Sequence, residues 1–517
     1  MKFDRLTLAV MVAAGGFAAW GAQYYTVFDD EAFSLQRYVL PLSELVPGLW
    51  RGVEPDPPLY YVLQHAWIGL FGVRPLALRG LSIVAFVAAI PVLRGAAEQW
   101  WGARAARYAV VLAGLHPLHL FFGFAARWYA LFFLCVAVLL HATAGVARGT
   151  APRRAAIAWV AAALAACYTN YYGPAVVGLV WFWAVWSQTG PARRWNRLLG
   201  CVLLGYAAWM PAFVQQLTTF PGATAGGVGR LTGMAATAGR VGVALLSGNL
   251  AGPSAWYVWA PLAVFALALV ALAWADRAMP AGPTLVAAGC LLAGVVSRTL
   301  IDKYALVLSG PLCMVAAARL AEPRTGRLAW VRTTAMAGLL LGWAGCGINW
   351  VIEENWSSLR WLDPIRATVK FHLSARVMVA THPSVRYYYG ILDPTYWTGR
   401  VSPERWQARA EQVLAPAQAL ERLESAPLAW PAEPQCAVCL IRTAALADPR
   451  SAGWAPLEAW LTANLQRGEV ETRLEDPAAE LKDRLDPGYE HPRYRVVVEC
   501  FGPRTGSGTS RVGPNRR

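Results

Sequence analysis

Three acids in a row, Asp29-Asp30-Glu31, stand just past the first long apolar run of this 517-residue chain. A carboxylate there can take the proton of a hydroxyl that is a weak nucleophile at neutral pH. The bland reading is a solvated helix start, because Asp caps helices and acids favour the first turn. Two later stretches carry cations. In Phe121-Phe122-Gly123-Phe124-Ala125-Ala126-Arg127-Trp128-Tyr129, Arg127 has no acid nearby in sequence. An unpaired guanidinium beside aromatics at a membrane surface suits a phosphate, or it snorkels to the interface. Ser297-Arg298-Thr299-Leu300-Ile301-Asp302-Lys303-Tyr304 adds Arg298 and Lys303, with Asp302 as a local partner for either. Three acids and three cations at one face of a membrane would make a polar site.

The elements that must hold these groups are membrane spans. The chain is 56% hydrophobic and 15% charged with 25 Trp, against about 25% charged in soluble proteins. Runs of about 20 apolar residues match a bilayer core. Residues 6–26 follow Lys2 and Arg5. The run is long for a signal peptide and lacks an obvious cleavage site, so it reads as a retained span. Further spans are expected near 75–93, 108–122, 128–147, 155–172, 174–188, 198–216, 256–274, 282–297, 304–320 and 330–351. That is about 11 in all, an α-helical multi-pass membrane protein.

The net charge of +15 brings no basic face or aromatic RNA motif with it. The Arg residues cluster instead in short links such as Arg104, Arg107, Arg153, Arg154, Arg193 and Arg194. That is the positive-inside pattern; it argues against nucleic acid and puts the N-terminus in the cytoplasm. An odd span count then places the acidic loop and the C-terminal part outside.

Residues 27–74 read as an outer loop with two amphipathic helices lying in the interface, since the 59–71 run is too short to cross. Residues 217–255, rich in Gly, Ala and Thr, read as a long outer loop. The chain divides at 352/353 into a membrane domain (1–352), a small α/β soluble domain (353–503) and a Gly/Ser/Arg-rich tail (504–517) expected to be disordered. In the α/β part, 377–380 and 495–498 look like strands, and 403–414 and 456–465 like helices. No repeats are visible. Six of the nine Cys lie in apolar runs as small core residues. Cys436, Cys439 and Cys500 lie in the soluble part, where an oxidising compartment would allow a disulfide; Cys436-x-x-Cys439 lacks a second ligand pair for zinc.

Taken in order, several pieces resemble the polyprenyl-phosphate-sugar-dependent glycosyltransferases of the GT-C superfamily, in the bacterial branch of protein mannosyltransferases and aminoarabinose transferases. They are Asp30-Glu31-Ala32, Pro57-Pro58-Leu59-Tyr60-Tyr61, Ala77-Leu78-Arg79, Pro117-Leu118-His119, Ala126-Arg127-Trp128-Tyr129-Ala130-Leu131, Tyr168-Thr169-Asn170-Tyr171-Tyr172 and Arg298…Lys303-Tyr304…Pro311. The resemblance covers residues 1–320 well and the remainder weakly. Three positions depart from the pattern: Asp56 where a His precedes the Pro pair, Ala125 where a Glu precedes Ala-Arg, and Lys303 where an Arg precedes Tyr.

The resemblance implies transfer of a sugar from a polyprenyl phosphate, with inversion, to an acceptor outside the cytoplasm of a bacterial cell (inner) membrane. The acceptor, whether protein, lipid or glycan, is left open. On that reading Asp30 is the base, Glu31 orients the acceptor, and Arg127, Arg298, Lys303 and Tyr304 hold the donor phosphate. Asp29, Asp56, His119 and Tyr129 are further contact candidates. Asp56 before a proline is also an ordinary turn former, and a His at a span end, as at His119, is more often packed and hydrogen-bonded. No ligand cluster calls for a metal, and the requirement stays open. The rivals are a transporter or flippase of lipid-linked saccharide, a membrane anchor for a soluble binding module, and a glycan ligase or polymerase using a diphosphate-linked donor. A transporter favours paired repeats and charges at mid-membrane, neither of which the sequence displays.

Overall fold

The structure, a computed structural model, describes residues 4–352 apart from 26, 28, 55, 150–151, 188, 220–229, 249–255, 276–280, 298–305 and 323–326. Beyond 352 it describes 369, 377–381, 383–391, 400–425, 438–444, 454–473 and 495–502. The chain forms two compact units. The first is Met1–Tyr25 with Arg37–Ser357; the second is Thr26–Gln36 with Ser358–Arg517. The sequence boundary at 352/353 therefore falls near one of the divisions, but the acidic stretch is grouped with the C-terminal part.

The first unit is helical. α1 (Arg5–Tyr24) starts on Asp4, whose carboxylate accepts from the Thr7 amide at 2.8 Å and meets Arg94 at 3.3 Å. Those hydrogen bonds, the Thr7 ones first, hold the Asp4 carboxyl below the usual range. The far end of α1 is closed by Arg79, fully buried, which donates to the carbonyls of Ala22 and Tyr25 at 2.8 Å each. Carbonyls at a helix end need such donors, and a bond from a charged donor contributes about 1.5–3 kcal/mol.

After α1 the loop holds three helices: α2 (Asp29–Tyr38), α3 (Leu42–Trp50) and α4 (Leu59–Phe71). Pro41, extended at φ −60° and ψ 148°, separates α2 from α3, so the periodicity running from Phe33 to Leu45 belongs to two helices. α5 (Pro75–Leu115) packs on α1, α7 and α15 and bends at Gly102, where φ is +84°. That value is open to glycine and strained for other residues. His116 is extended before Pro117, as a residue preceding proline tends to be, and its ring caps α6 (Pro117–Phe122) at the Leu118 amide. The run expected as one span at 108–122 is therefore broken in its interior.

The following helices are α7 (Tyr129–Arg148), α8 (Pro152–Thr169), α9 (Gly173–Trp186) and α10 (Ala192–Tyr206). A 3-10 turn at Ala207–Trp209 joins α10 to α11 (Met210–Thr219). Then come α12 (Arg230–Ser247), α13 (Trp256–Ala275), α14 (Ala281–Ser297), α15 (Leu306–Ala321) and α16 (Arg327–Ile352). α12 corrects the expectation of a loop across 217–255. Its C-terminal end sits against α6, since a Cβ at Gly248 would come within 2.7 Å of the Leu118 amide nitrogen.

This is a membrane protein. Among the described residues four helical stretches are long and apolar enough to cross a bilayer: Arg5–Gln23, Pro75–Leu115, Tyr129–Arg148 and Ala192–Gln216. Shorter apolar helices accompany them, Gly173–Trp186 and Leu306–Ala321 among these. Large apolar side chains such as Leu204, Trp186 and Leu267 are largely exposed, as lipid-facing positions are.

In the second unit a five-stranded mixed sheet has the order β2-β1-β3-β5-β4. The strands are β1 (Val377–Ala380), β2 (Val413–Leu414), β3 (Val438–Ala444), β4 (Gln466–Arg473) and β5 (Arg495–Gly502). β1 runs parallel to β2 and β3, whereas β5 is antiparallel to β3 and β4. Between them lie α17 (Pro383–Ile391), α18 (Pro403–Ala410), α19 (Pro416–Ser425) and α20 (Trp454–Asn464). Val377, Val379, Val438, Leu440 and Phe501 pack on Ala419, Leu423, Leu457 and Leu461. The helix expected at 403–414 stops at Ala410, and Val413-Leu414 leaves it to pair with β1.

Candidate functional site

In the first unit the loop between α3 and α4 meets the turn between α6 and α7. Arg127 is the meeting point. Its Nη2 donates to Asp56 Oδ2 at 2.8 Å, and its Nη1 reaches Tyr61 Oη at 3.3 Å and Glu54 Oε1 at 3.6 Å. Tyr61 in turn donates to Asp56 Oδ2 at 3.3 Å. The three charged side chains are 11%, 7% and 4% exposed for Arg127, Asp56 and Glu54. Buried ions persist only when paired and hydrogen-bonded, and this group satisfies that condition. The expectation of an unpaired Arg127 is thereby corrected. Its formal charge is answered by two carboxylates, and the trio as a whole is negative. Asp56 is more than a turn former, since it accepts from both Arg127 and Tyr61.

The other quoted motif pieces join the same neighbourhood. Tyr60 Oη bonds Ser82 Oγ at 2.9 Å, Ser82 Oγ donates to the Arg127 carbonyl at 3.3 Å, and Tyr38 Oη donates to the Ala126 carbonyl at 2.9 Å. The Arg79 guanidinium lies 5.2 Å from the Phe124 ring centre. Asn170 closes the α8–α9 turn, its side chain accepting from the Tyr172 amide at 2.9 Å. Tyr171 Oη donates to Gln216 Oε1 at 2.6 Å, while Gln216 Nε2 donates to the Leu49 carbonyl at 2.7 Å. Burial pushes the Tyr171 hydroxyl up to about 12, and the Asp56 charge adds to that rise. Tyr171 is thus a neutral donor at physiological pH. Nothing local in the sequence signalled Glu54 or Gln216.

His119 is packed. Its Nδ1 meets the Ala113 carbonyl at 2.7 Å and its Nε2 meets Ser309 Oγ at 2.7 Å. A carbonyl only accepts, so the ring donates from Nδ1, while the Ser309 hydroxyl beside Nε2 also reaches the Leu306 carbonyl at 2.6 Å. Tyr129 is buried between the rings of Phe122, at 5.1 Å, and Trp128, at 4.5 Å.

In the second unit Asp29, Asp30 and Glu31 form the first turn of α2, where negative charge is favoured. Asp30 is half-buried and Glu31 buried; the Asp29 side chain is outside the described set. Val27 ahead of them is held by α17. Its amide donates to Tyr388 Oη at 2.6 Å, and its carbonyl accepts from Ser384 Oγ at 3.3 Å. Arg298, Lys303 and Tyr304, together with Cys436 and the 504–517 tail, lie outside the described residues. Among the described residues no group of three or more His, Cys, Asp or Glu could hold a metal ion.

Two solved structures share this architecture over nearly the whole chain. ArnT from Cupriavidus metallidurans bound to undecaprenyl phosphate aligns with a TM-score of 0.53 at 15% identity, covering 96% of this chain and 97% of that one. The apo state of the same protein aligns at 0.50 and 14%, covering 95% and 97%. The chain has the GT-C fold. No protein-family model matches it, and no curated protein matches it in sequence. Identity this low carries the fold alone. Within that fold the order of motif pieces noted in the sequence becomes proximity: Tyr60 and Tyr61, Ser82 beside Arg79, and Arg127 meet through side chains and backbone.

Proposed function

We propose that this chain is a membrane glycosyltransferase that moves a sugar from a polyprenyl-phosphate donor to an acceptor hydroxyl or amine outside the cytoplasm, with inversion. The observation that carries it is the full-length likeness to ArnT, a protein solved with undecaprenyl phosphate bound. The proposed setting is a bacterial inner membrane, with a cytoplasmic N-terminus and an outer active site.

In the proposed reaction Asp30 accepts the acceptor's proton as its heteroatom forms a bond to the anomeric carbon. The bond from that carbon to the phosphate oxygen breaks, and its electron pair stays with the phosphate. A positioned base of this kind contributes about 10²–10⁴-fold. Glu31 orients the acceptor. Arg298 and Lys303, with Tyr304, answer the charge gathering on the phosphate, where one contact is worth about 3 kcal/mol. Arg127, committed to Asp56 and Glu54, shapes the mouth rather than binding the donor. Tyr171, kept neutral, donates to Gln216 beside that mouth. Asp29 and Tyr129 are secondary contact candidates, and His119 is structural.

The test is a panel of labelled polyprenyl-phosphate sugars supplied to membranes containing the chain. Transfer of label from one of them into lipid-free or lipid-linked product supports the reading; no transfer from any monophosphate donor, with transfer from a diphosphate-linked one, would replace it by a ligase.

A further inference from the structure

We propose that Tyr388 and Ser384 are positioning residues for the acidic turn, so that the C-terminal domain controls turnover. The inference rests on the transfer reading above and deepens it.

The two side chains are four residues apart on α17 and therefore share one face of that helix. Both converge on one residue, Val27. Its amide donates to the Tyr388 hydroxyl at 2.6 Å, and its carbonyl accepts the Ser384 hydroxyl at 3.3 Å. Val27 and Ser384 are fully buried and Tyr388 is 2% exposed, so water does not compete for these groups. Both polar groups of a single peptide residue are thus captured by a helix more than 350 positions away in sequence. α2 begins at Asp29, two residues on. Fixing Val27 at both its donor and its acceptor fixes the direction in which the first turn, and Asp30 with it, leaves the backbone.

The clamp has a firm base. Trp406 Nε1 donates to the Tyr387 carbonyl at 3.3 Å, and Arg409 Nε donates to the Tyr389 carbonyl at 3.4 Å. Gly390 lies so close to the Trp406 ring that a Cβ would come within 2.5 Å of it. α17 is therefore pinned to α18, and Tyr388 and Ser384 present fixed hydroxyls rather than mobile ones. The contacts that carry their role are to the backbone ahead of the acids. Their action is through Asp30.

A displacement of about 1 Å at a reacting group costs on the order of 100-fold in rate. Tyr388→Phe, which keeps the ring, and the double variant with Ser384→Ala are made in the full chain and reconstituted in membranes. We expect kcat to fall about 10- to 100-fold with donor KM within a factor of two. Hydrogen exchange in peptides covering 27–36 should quicken, while exchange in β3 and β5 and the melting temperature of the domain stay put. Wild-type kcat in the double variant overturns the proposal, as does unaltered exchange at 27–36. A wild-type chain that transfers no sugar sinks the transfer reading separately; exchange at 27–36 still decides the clamp, faster supporting it and unchanged refuting it.

Discussion

Replacing Arg127 by Met separates two readings of that residue. Nη2 is 2.8 Å from Asp56 and Nη1 is 3.6 Å from Glu54, and all three side chains are at most 11% exposed. At an effective dielectric of about 20, unit charges about 4 Å apart attract by about 4 kcal/mol. Desolvation of each ion opposes that attraction, so the intact group is near neutral for stability. Taking away only the cation is different. It takes the guanidinium from two buried carboxylates and removes a partner of Tyr61, and losses of this type run to about 3–5 kcal/mol. Restoring balance with Asp56→Asn and Glu54→Gln in the same chain should recover all but about 1–2 kcal/mol. The assay is reversible unfolding in mixed micelles for the single, double and triple variants, with donor binding measured on the folded fraction. A loss under about 1 kcal/mol for Arg127→Met, or simple additivity in the cycle, would refute the buried ion group. Weakened donor binding at full stability would return Arg127 to the phosphate.

Three further outcomes are expected. Asp30→Asn should lower transfer at least about 100-fold while folding and donor binding persist; turnover at the wild-type rate would remove the base. Arg298→Ala should raise the donor Kd about 10- to 100-fold, corresponding to one charged contact of 1.4–2.7 kcal/mol or so; an unchanged Kd counts against its phosphate role. Cys439 and Cys500 are register partners on β3 and β5, and Cα atoms facing across an antiparallel pair are about 4.5–5.5 Å apart, within disulfide range. Alkylation of the denatured, unreduced protein should therefore leave that pair unlabelled if the domain lies on an oxidising side; labelling of both places it in a reducing compartment.

The helices were legible where apolar length alone defines them. α7, α8, α9 and α13 fall within a few residues of the expected spans. Hydropathy is blind to breaks inside an apolar run, so the His116-Pro117 step and the 3-10 turn at Ala207–Trp209 went unseen. α12 was missed because Gly and Thr are weak helix formers, although Val241 and Ala244 do form a buried face. In the sheet, β1 and β5 are rich in Val and were visible, whereas β4, Gln466–Arg473, is mostly polar and was not. The site was legible as residue types and order, and illegible as pairing. Arg127 and Asp56 are 71 positions apart, and Val27 and Tyr388 are 361 apart. No local pattern encodes contacts at such separations. The sequence could mark Arg127 as notable only because nothing beside it balances its charge.

That balance has a consequence for the proposed chemistry. Asp56 and Glu54 engage the Arg127 guanidinium, so that cation is not offered whole to a donor phosphate. On the proposed reading the cations for the leaving phosphate are Arg298 and Lys303, in the stretch of sequence between α14 and α15. The donor phosphodiester carries one negative charge and gains a second as the bond to the sugar breaks, so two cations would answer the charge of the departing phosphate. Losing either should therefore weaken donor binding, and losing both should weaken it further. The acidic mouth would have a separate use, because a neutral or cationic acceptor is drawn toward it while a second anion is kept away. Substituting Asp56 and Glu54 by their amides should thus lower the preference for cationic over anionic acceptors and leave donor affinity no weaker.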